Sequence, residues 1–262
     1  MIIRRVVLSV CTAVALSGCA AIGDQFSSGD DEPSNLRLAD RAAEQDDFET
    51  AAALYRREFD DDPDSIDALV GLGRSYRNLG QASRGRQALT EALARRGDDP
   101  RILLELGRTQ LSEGQAEEAL ETLEQAQDLA PRDLQVITAR GIALDRLSQH
   151  EEAQSVYREG LRLDPTNFAL LGNLGLSRGI SGDPEAGIST LRELVRDGEA
   201  DARTRGNLAM LYGLAGRESE ARATLAGDLE DHEIDENIAY YRELRELLEA
   251  GGSIGEAAGG SA

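Results

Sequence analysis

A period of 34 residues constrains this chain more than any other feature of its sequence. Units starting at residues 32, 66, 100, 134, 168 and 202 run in register without an insertion. The eighth residue of each unit is Ala39, Gly73, Gly107, Gly141, Gly175 or Ala209, and the twentieth is Ala51, Gly85, Ala119, Ala153, Gly187 or Ala221. Two fixed small residues per unit predict two antiparallel helices that cross closely there, where nothing larger than a methyl group fits. Apolar side chains flank that crossing. Position seven carries Leu38, Leu72, Leu106, Leu174 and Leu208, and position 24 carries Tyr55, Leu89, Leu123, Tyr157, Leu191 and Leu225. Arg140 breaks the pattern at position seven, so it either snorkels or marks a slightly rotated helix.

The turns follow the same grid. Gly80, Gly114, Gly182 and Gly216 occupy position 15, where the first helix ends and the chain must adopt a left-handed conformation. Asp46 stands there in the first unit, the poorest match. Pro63, Pro131 and Pro165 end the second helix of three units, whereas Gly97 and Glu199 are weaker breaks. This spacing resembles the tetratricopeptide repeat over residues 32–235. The resemblance implies an all-α, right-handed superhelical solenoid of six helix pairs. After residue 235 the register slips. Residues 236–250 read as one amphipathic helix with Ile238, Tyr241, Leu244 and Leu248 on a shared face. We expect it to cap the solenoid as a truncated seventh unit, because an end unit needs one wet face. The Gly/Ala/Ser-rich residues 251–262 are expected to be disordered.

Residues 1–18 read as an export signal. Arg4 and Arg5 precede a short apolar run from Val6 to Leu16, too short for a stable span of about 20 residues. Leu16-Ser17-Gly18-Cys19 then matches the lipobox of bacterial lipoproteins. That resemblance implies cleavage before Cys19, acylation of its thiol and of the new amine, and attachment to a membrane through the lipid. Several acyl chains hold firmly where one holds only marginally. Ala20, in place of the Asp that retains enteric lipoproteins in the inner membrane, favours the periplasmic face of the outer membrane. Residues 19–33 form a short polar tether. Cleavage would leave Cys19 as the sole cysteine, which excludes an intramolecular disulfide and a thiol catalyst.

Charge narrows the function further. Asp and Glu number 49 against 28 basic residues, all arginine, for a net charge of −21. A globally basic nucleic-acid binder is excluded, since phosphate contact needs a positive face. His150 and His232 have no ligand-spaced Cys or second His and read as solvated surface residues. There is no HExxH, GxSxG or Walker A motif. Asp60 to Asp64 lacks the ligand order of a calcium loop. The sequence therefore predicts no enzyme, no metal, no cofactor and no small-molecule substrate. The partners expected are proteins.

The first helices of stacked pairs should line a concave wall. If the repeat geometry holds, that wall carries Arg74, Arg77 and Asn78, then Arg101, Leu104, Arg108 and Leu111. Thr138, Ile142, Asp145 and Arg146 follow, then Gly172, Asn173, Leu176 and Ile180, and last Arg203, Asn207, Met210 and Leu214. The expectation is a partner-binding groove with an arginine end and an apolar end. Arg74, Arg77, Arg101 and Arg108 would meet carboxylates of a bound segment, the other reading being that inward arginines simply pair with neighbouring Glu residues. Leu176 and Met210 would bury its apolar anchors, and Asn173 and Asn207 would bond to its backbone.

The layout of signal, lipobox, six repeats and the tail NIAYYRELRELL (237–248) resembles the Tad (Flp) pilus assembly lipoproteins. The resemblance implies a non-catalytic scaffold of the periplasm and outer membrane that assists the pilus secretin or another component of that machine. The other readings are a type IV pilus pilotin-like lipoprotein and an adaptor for envelope enzymes.

Overall fold

A computed structural model describes residues 34–196 and 200–250. The signal segment 1–18, Cys19 and the tether to residue 33, Glu199 and the tail 251–262 lie outside the described residues. Every regular element among the described residues is helical. Six antiparallel pairs follow one another. They are α1 (Asn35–Glu44) with α2 (Phe48–Asp61), α3 (Ile66–Asn78) with α4 (Ala82–Arg95), and α5 (Pro100–Ser112) with α6 (Ala116–Leu129). Then come α7 (Leu134–Arg146) with α8 (His150–Leu163), α9 (Phe168–Ile180) with α10 (Pro184–Arg196), and α11 (Ala202–Leu214) with α12 (Glu218–Leu225). The final helix is α13 (Asp231–Glu249). Five first helices thus begin at residues 66, 100, 134, 168 and 202. The all-α solenoid expected from the repeat is the architecture observed.

The small residues act as the period predicted. A Cβ placed on Gly85 would lie 2.7 Å from the Gly73 carbonyl oxygen, and one on Gly187 would lie 2.5 Å from that of Gly175. Position 20 therefore seats directly on the backbone at position eight. A Cβ on Gly73, Gly107 or Gly141 would instead strike the side chain of Leu89, Leu123 or Tyr157 at position 24. All six residues at position 24 are buried. Each first helix also touches the first helix of the next pair, from α1 against α3 through to α11 against α13. The first helices consequently line one wall. Arg140 resolves as a snorkelling side chain, its guanidinium donating to Gln127 (2.9 Å) beside Glu124.

All six residues at position 15 have positive φ, from 58° at Asp46 and 59° at Ser148 to 104° at Gly182. The turn is thus kept in units one and four without glycine, at a cost of about 1–2 kcal/mol each. A further device recurs at position 34. Ser65, Asp99, Asp133, Asn167 and Asp201 each cap the following first helix, accepting backbone N–H bonds at 2.7–3.3 Å. The last pair departs from the grid. Helix α12 has only 8 residues, against 13 or 14 in α2, α4, α6, α8 and α10. The chain then enters α13 at Asp231, five residues before the start the tail pattern predicts, and Ile234 joins Ile238, Tyr241 and Leu244 in the core. The shortened helix accounts for the slipped register.

The caps set an acid limit on stability. Hydrogen bonds from Thr204 and its backbone hold the Asp201 carboxyl below the usual carboxylate range, and those from Thr50 do the same for Asp47. Burial pushes Asp99 up, but the bonds from the Arg101 guanidinium and backbone outweigh it and leave its carboxyl lowered. A folded-state pKa below the unfolded one contributes stability that is complete above the unfolded value, about 4, and is lost as pH falls through the folded one. Melting temperature is therefore expected to hold level from pH 7 to about 5 and to drop below about 4. In thermal melts followed by circular dichroism, Asp201→Asn should flatten that drop. An equally steep fall in the variant would remove Asp201 from the account.

Candidate functional site

Two cavities lie along the inner wall formed by the described residues. The first, of about 550 Å³, lies along α1, α3, α5 and the start of α7. Arg74 and Arg101 line it, together with Asp40, Asp67, Glu105 and Asp133. Arg74 donates to the Tyr55 hydroxyl (3.0 Å), which in turn donates to Asp40, and Arg74 lies 3.7 Å from Asp40. Burial and the hydrogen bond to Asp40 push the Tyr55 phenol up to about 12, against the opposing charge of Arg74. Arg101 bridges Asp99 (2.9 Å) and Asp67 (3.2 Å). Arg77 and Arg108 both converge on Glu105, at 3.2 and 2.7 Å, and Glu105 is only 8% exposed.

Each of the four arginines expected to greet a partner's carboxylates is therefore already paired within the chain. Four carboxylates and two guanidiniums line this cavity, so its wall is acidic rather than basic. Of the two readings open to the inward arginines, a partner's carboxylates or neighbouring acids of the chain itself, the structure shows the second. The pairing has a regular source. Asp67 and Arg101 stand 34 residues apart, one unit, so stacking brings them together.

The second cavity, of about 300 Å³, lies along α7, α9 and α11, with His150 and Tyr157 of α8 reaching it. Asn173, Leu176 and Met210 meet there, as expected of the apolar end. Asn207 is half-buried and does not line the cavity. Beneath the cavity Asp145 accepts three hydrogen bonds. They come from Tyr157 (2.9 Å) and Ser177 (2.7 Å), with His150 Nδ1 at 2.9 Å. Burial, and then the charge of Asp145, push the Tyr157 phenol far above its ordinary value. His150 is thus not the solvated residue its sequence context implied. Its side chain is 20% exposed and tied to Asp145, whereas His232 is 72% exposed. A sequence signal for this cluster existed, since Asp145 and Ser177 lie about one unit apart on successive first helices. No rule of spacing alone singles them out.

Among the described residues no cluster of His, Cys, Asp and Glu is arranged to hold a metal ion, and no helix is long and apolar enough to cross a membrane. A curved stack of helix pairs with a side-chain-lined inner groove is the fold of a protein-interaction scaffold. The chain belongs to the tetratricopeptide-repeat family, whose sequence models match residues 36–82, 70–133 and 134–167. Similar solved structures include the APC/C hetero-tetramer Cut9–Hcn1, with a TM-score of 0.68 and 18% identity, covering 81% of this chain and 44% of that one. A tetratricopeptide-repeat protein from Parabacteroides merdae has a TM-score of 0.62 and 17% identity, covering 87% and 93%. PilF of Pseudomonas aeruginosa has a TM-score of 0.57 and 18% identity, covering 72% and 86%. At these identities the similarity is one of fold. No curated protein sequence matches the chain.

Proposed function

We propose that the protein is a non-catalytic, lipid-anchored scaffold on the periplasmic face of the bacterial outer membrane. There it grips a segment of a partner protein in its inner groove and assists assembly of the Tad (Flp) pilus, acting on the secretin of that machine. The observation that carries the reading is Leu16-Ser17-Gly18-Cys19 ahead of a solenoid built entirely of repeats. The tail 237–248 supports the narrower assignment to the pilus. Within α13 its apolar residues are engaged in packing, since Ile238, Tyr241 and Leu244 are buried, while Arg242 pairs with Glu218. Tyr240, 43% exposed, is left to meet a partner.

Two measurements test the proposal. Cys19→Ser is expected to release the protein from the outer-membrane fraction, and continued retention would count against the lipid anchor. A photo-crosslinking residue at Leu176 or Arg74 is expected to capture the secretin in cells that build the pilus. Capture only from the second helices α4, α6 and α8 would refute the groove.

A further inference from the structure

The second cavity offers a partner more than an apolar surface. Ile142, Leu176, Ile180 and Met210 supply apolar lining, and about 300 Å³ is ample for a large side chain, since about 150 Å³ accommodates benzene. Asn173 is nine-tenths buried, lines the cavity and has no hydrogen-bond partner among the described residues. Its carboxamide has a donor and an acceptor to offer at the cavity wall, and a peptide group, with one of each, matches it. Arg146 and Arg203 also line the cavity, and both are exposed. No ion pair within 4.0 Å joins either to a described residue, although the charge of Arg203 acts on Asp201 and Tyr157, whereas Arg74, Arg77, Arg101 and Arg108 are each held by a carboxylate. Asp145 is the lone carboxylate of this lining, and its oxygens are already engaged by Tyr157, Ser177 and His150.

Resting on the groove reading above, we propose that this cavity is the anchor site for a partner segment in which a large apolar residue neighbours a carboxylate. The apolar side chain fills the space against Leu176 and Met210. Asn173 pairs with the adjoining peptide group, and Arg146 and Arg203 take the carboxylate. The cavity at the other end of the wall disfavours the same segment, because its own carboxylates outnumber its guanidiniums. The polarity of the groove is thus the reverse of what the arginine-rich first half suggests.

The test uses the full chain in detergent and fluorescein-labelled hexapeptides built around Leu-Glu, Leu-Lys or Ala-Glu, with blocked ends, plus one ending in a free Leu carboxylate. Fluorescence anisotropy is expected to show Leu-Glu binding at least 10-fold more tightly than Leu-Lys or Ala-Glu. Arg146→Glu/Arg203→Glu should reverse the preference in favour of Leu-Lys, a gain that misfolding cannot produce. Arg132→Glu/Arg162→Glu, the same charge change outside the cavity lining, should shift affinity by less than 2-fold. Tighter binding of the free Leu carboxylate than of Leu-Glu would place the carboxylate at a chain end and support the site. Equal affinities for Leu-Glu and Leu-Lys, no binding of any peptide, or an unreversed preference in the charge-swapped variant would overturn it. Groove crosslinks without the peptide preference would sink this inference alone. Crosslinks confined to the second helices would sink the groove reading itself.

Discussion

Asp145→Leu is expected to destabilise the protein by about 2–4 kcal/mol, because it strands hydrogen-bond donors that fold against the carboxylate. The donors come from two repeat units. His150 and Tyr157 belong to α8 of the same pair as Asp145, whereas Ser177 belongs to α9 of the next. Ser177 and Tyr157 are both fully buried, so water cannot replace the lost acceptor. A leucine branches at Cγ as the aspartate does but accepts nothing. Removing a donor instead is milder. Ser177→Ala or Tyr157→Phe should each cost about 1 kcal/mol. The sharper expectation is rescue: Asp145→Leu combined with Tyr157→Phe and Ser177→Ala should be more stable than Asp145→Leu alone, since fewer donors are then left unpaired. Urea unfolding followed at the helical circular-dichroism band measures all four. Stability of Asp145→Leu within about 0.5 kcal/mol of the parent would show that the cluster holds nothing together.

Gly187→Ala should lower stability by about 2 kcal/mol, although alanine is the better helix former by about 1 kcal/mol. The new methyl would sit 2.5 Å from the Gly175 carbonyl oxygen, 2.5 Å from Leu211 and 3.0 Å from the Gly179 Cα. Leu211 has rotamers to yield with, but the other two contacts are backbone. Helices α9 and α10 must then move apart, and Leu191, fully buried beside Gly175, loses contact as they do. Gly206 supplies the control. It lies within α11, and a Cβ there would meet nothing within 4 Å, so Gly206→Ala should gain about 0.5–1 kcal/mol. The same substitution with opposite signs separates close packing from helix propensity. If both variants became more stable, the small residues would owe their places to something other than the helix crossing.

Glycine and alanine at two places per unit were sufficient to announce the helix pairs. A helix crossing is a local event repeated at fixed spacing, so the chain carries its record directly. The same holds for the turns, where four glycines mark a left-handed residue. Asp46 and Ser148 show the limit, since both hold that conformation without glycine and only the backbone reveals it. The caps at position 34 went unread although Ser, Asn or Asp stands one residue before each of five helices, because such residues are as common in plain turns as in caps. The early start of α13 was not legible, because shortening α12 depends on how the last pair packs rather than on any residue in the tail.

The groove divides along the same line. Which side chains reach the inner wall follows from their place in the period, and on that count Arg74, Arg101, Asn173, Leu176 and Met210 line it. Their electrostatic state does not. Stacking sets Glu105 between Arg77 and Arg108 and Asp67 against Arg101, while Arg146 and Arg203 are left without ion-pair partners among the described residues. The sequence by itself thus determined the repeat, its crossings and the membership of the wall, because each depends on short-range geometry. Only the tertiary structure decided which charges are held in ion pairs and which face the cavity without one, because a charge is answered by whatever lies within a few ångströms in space.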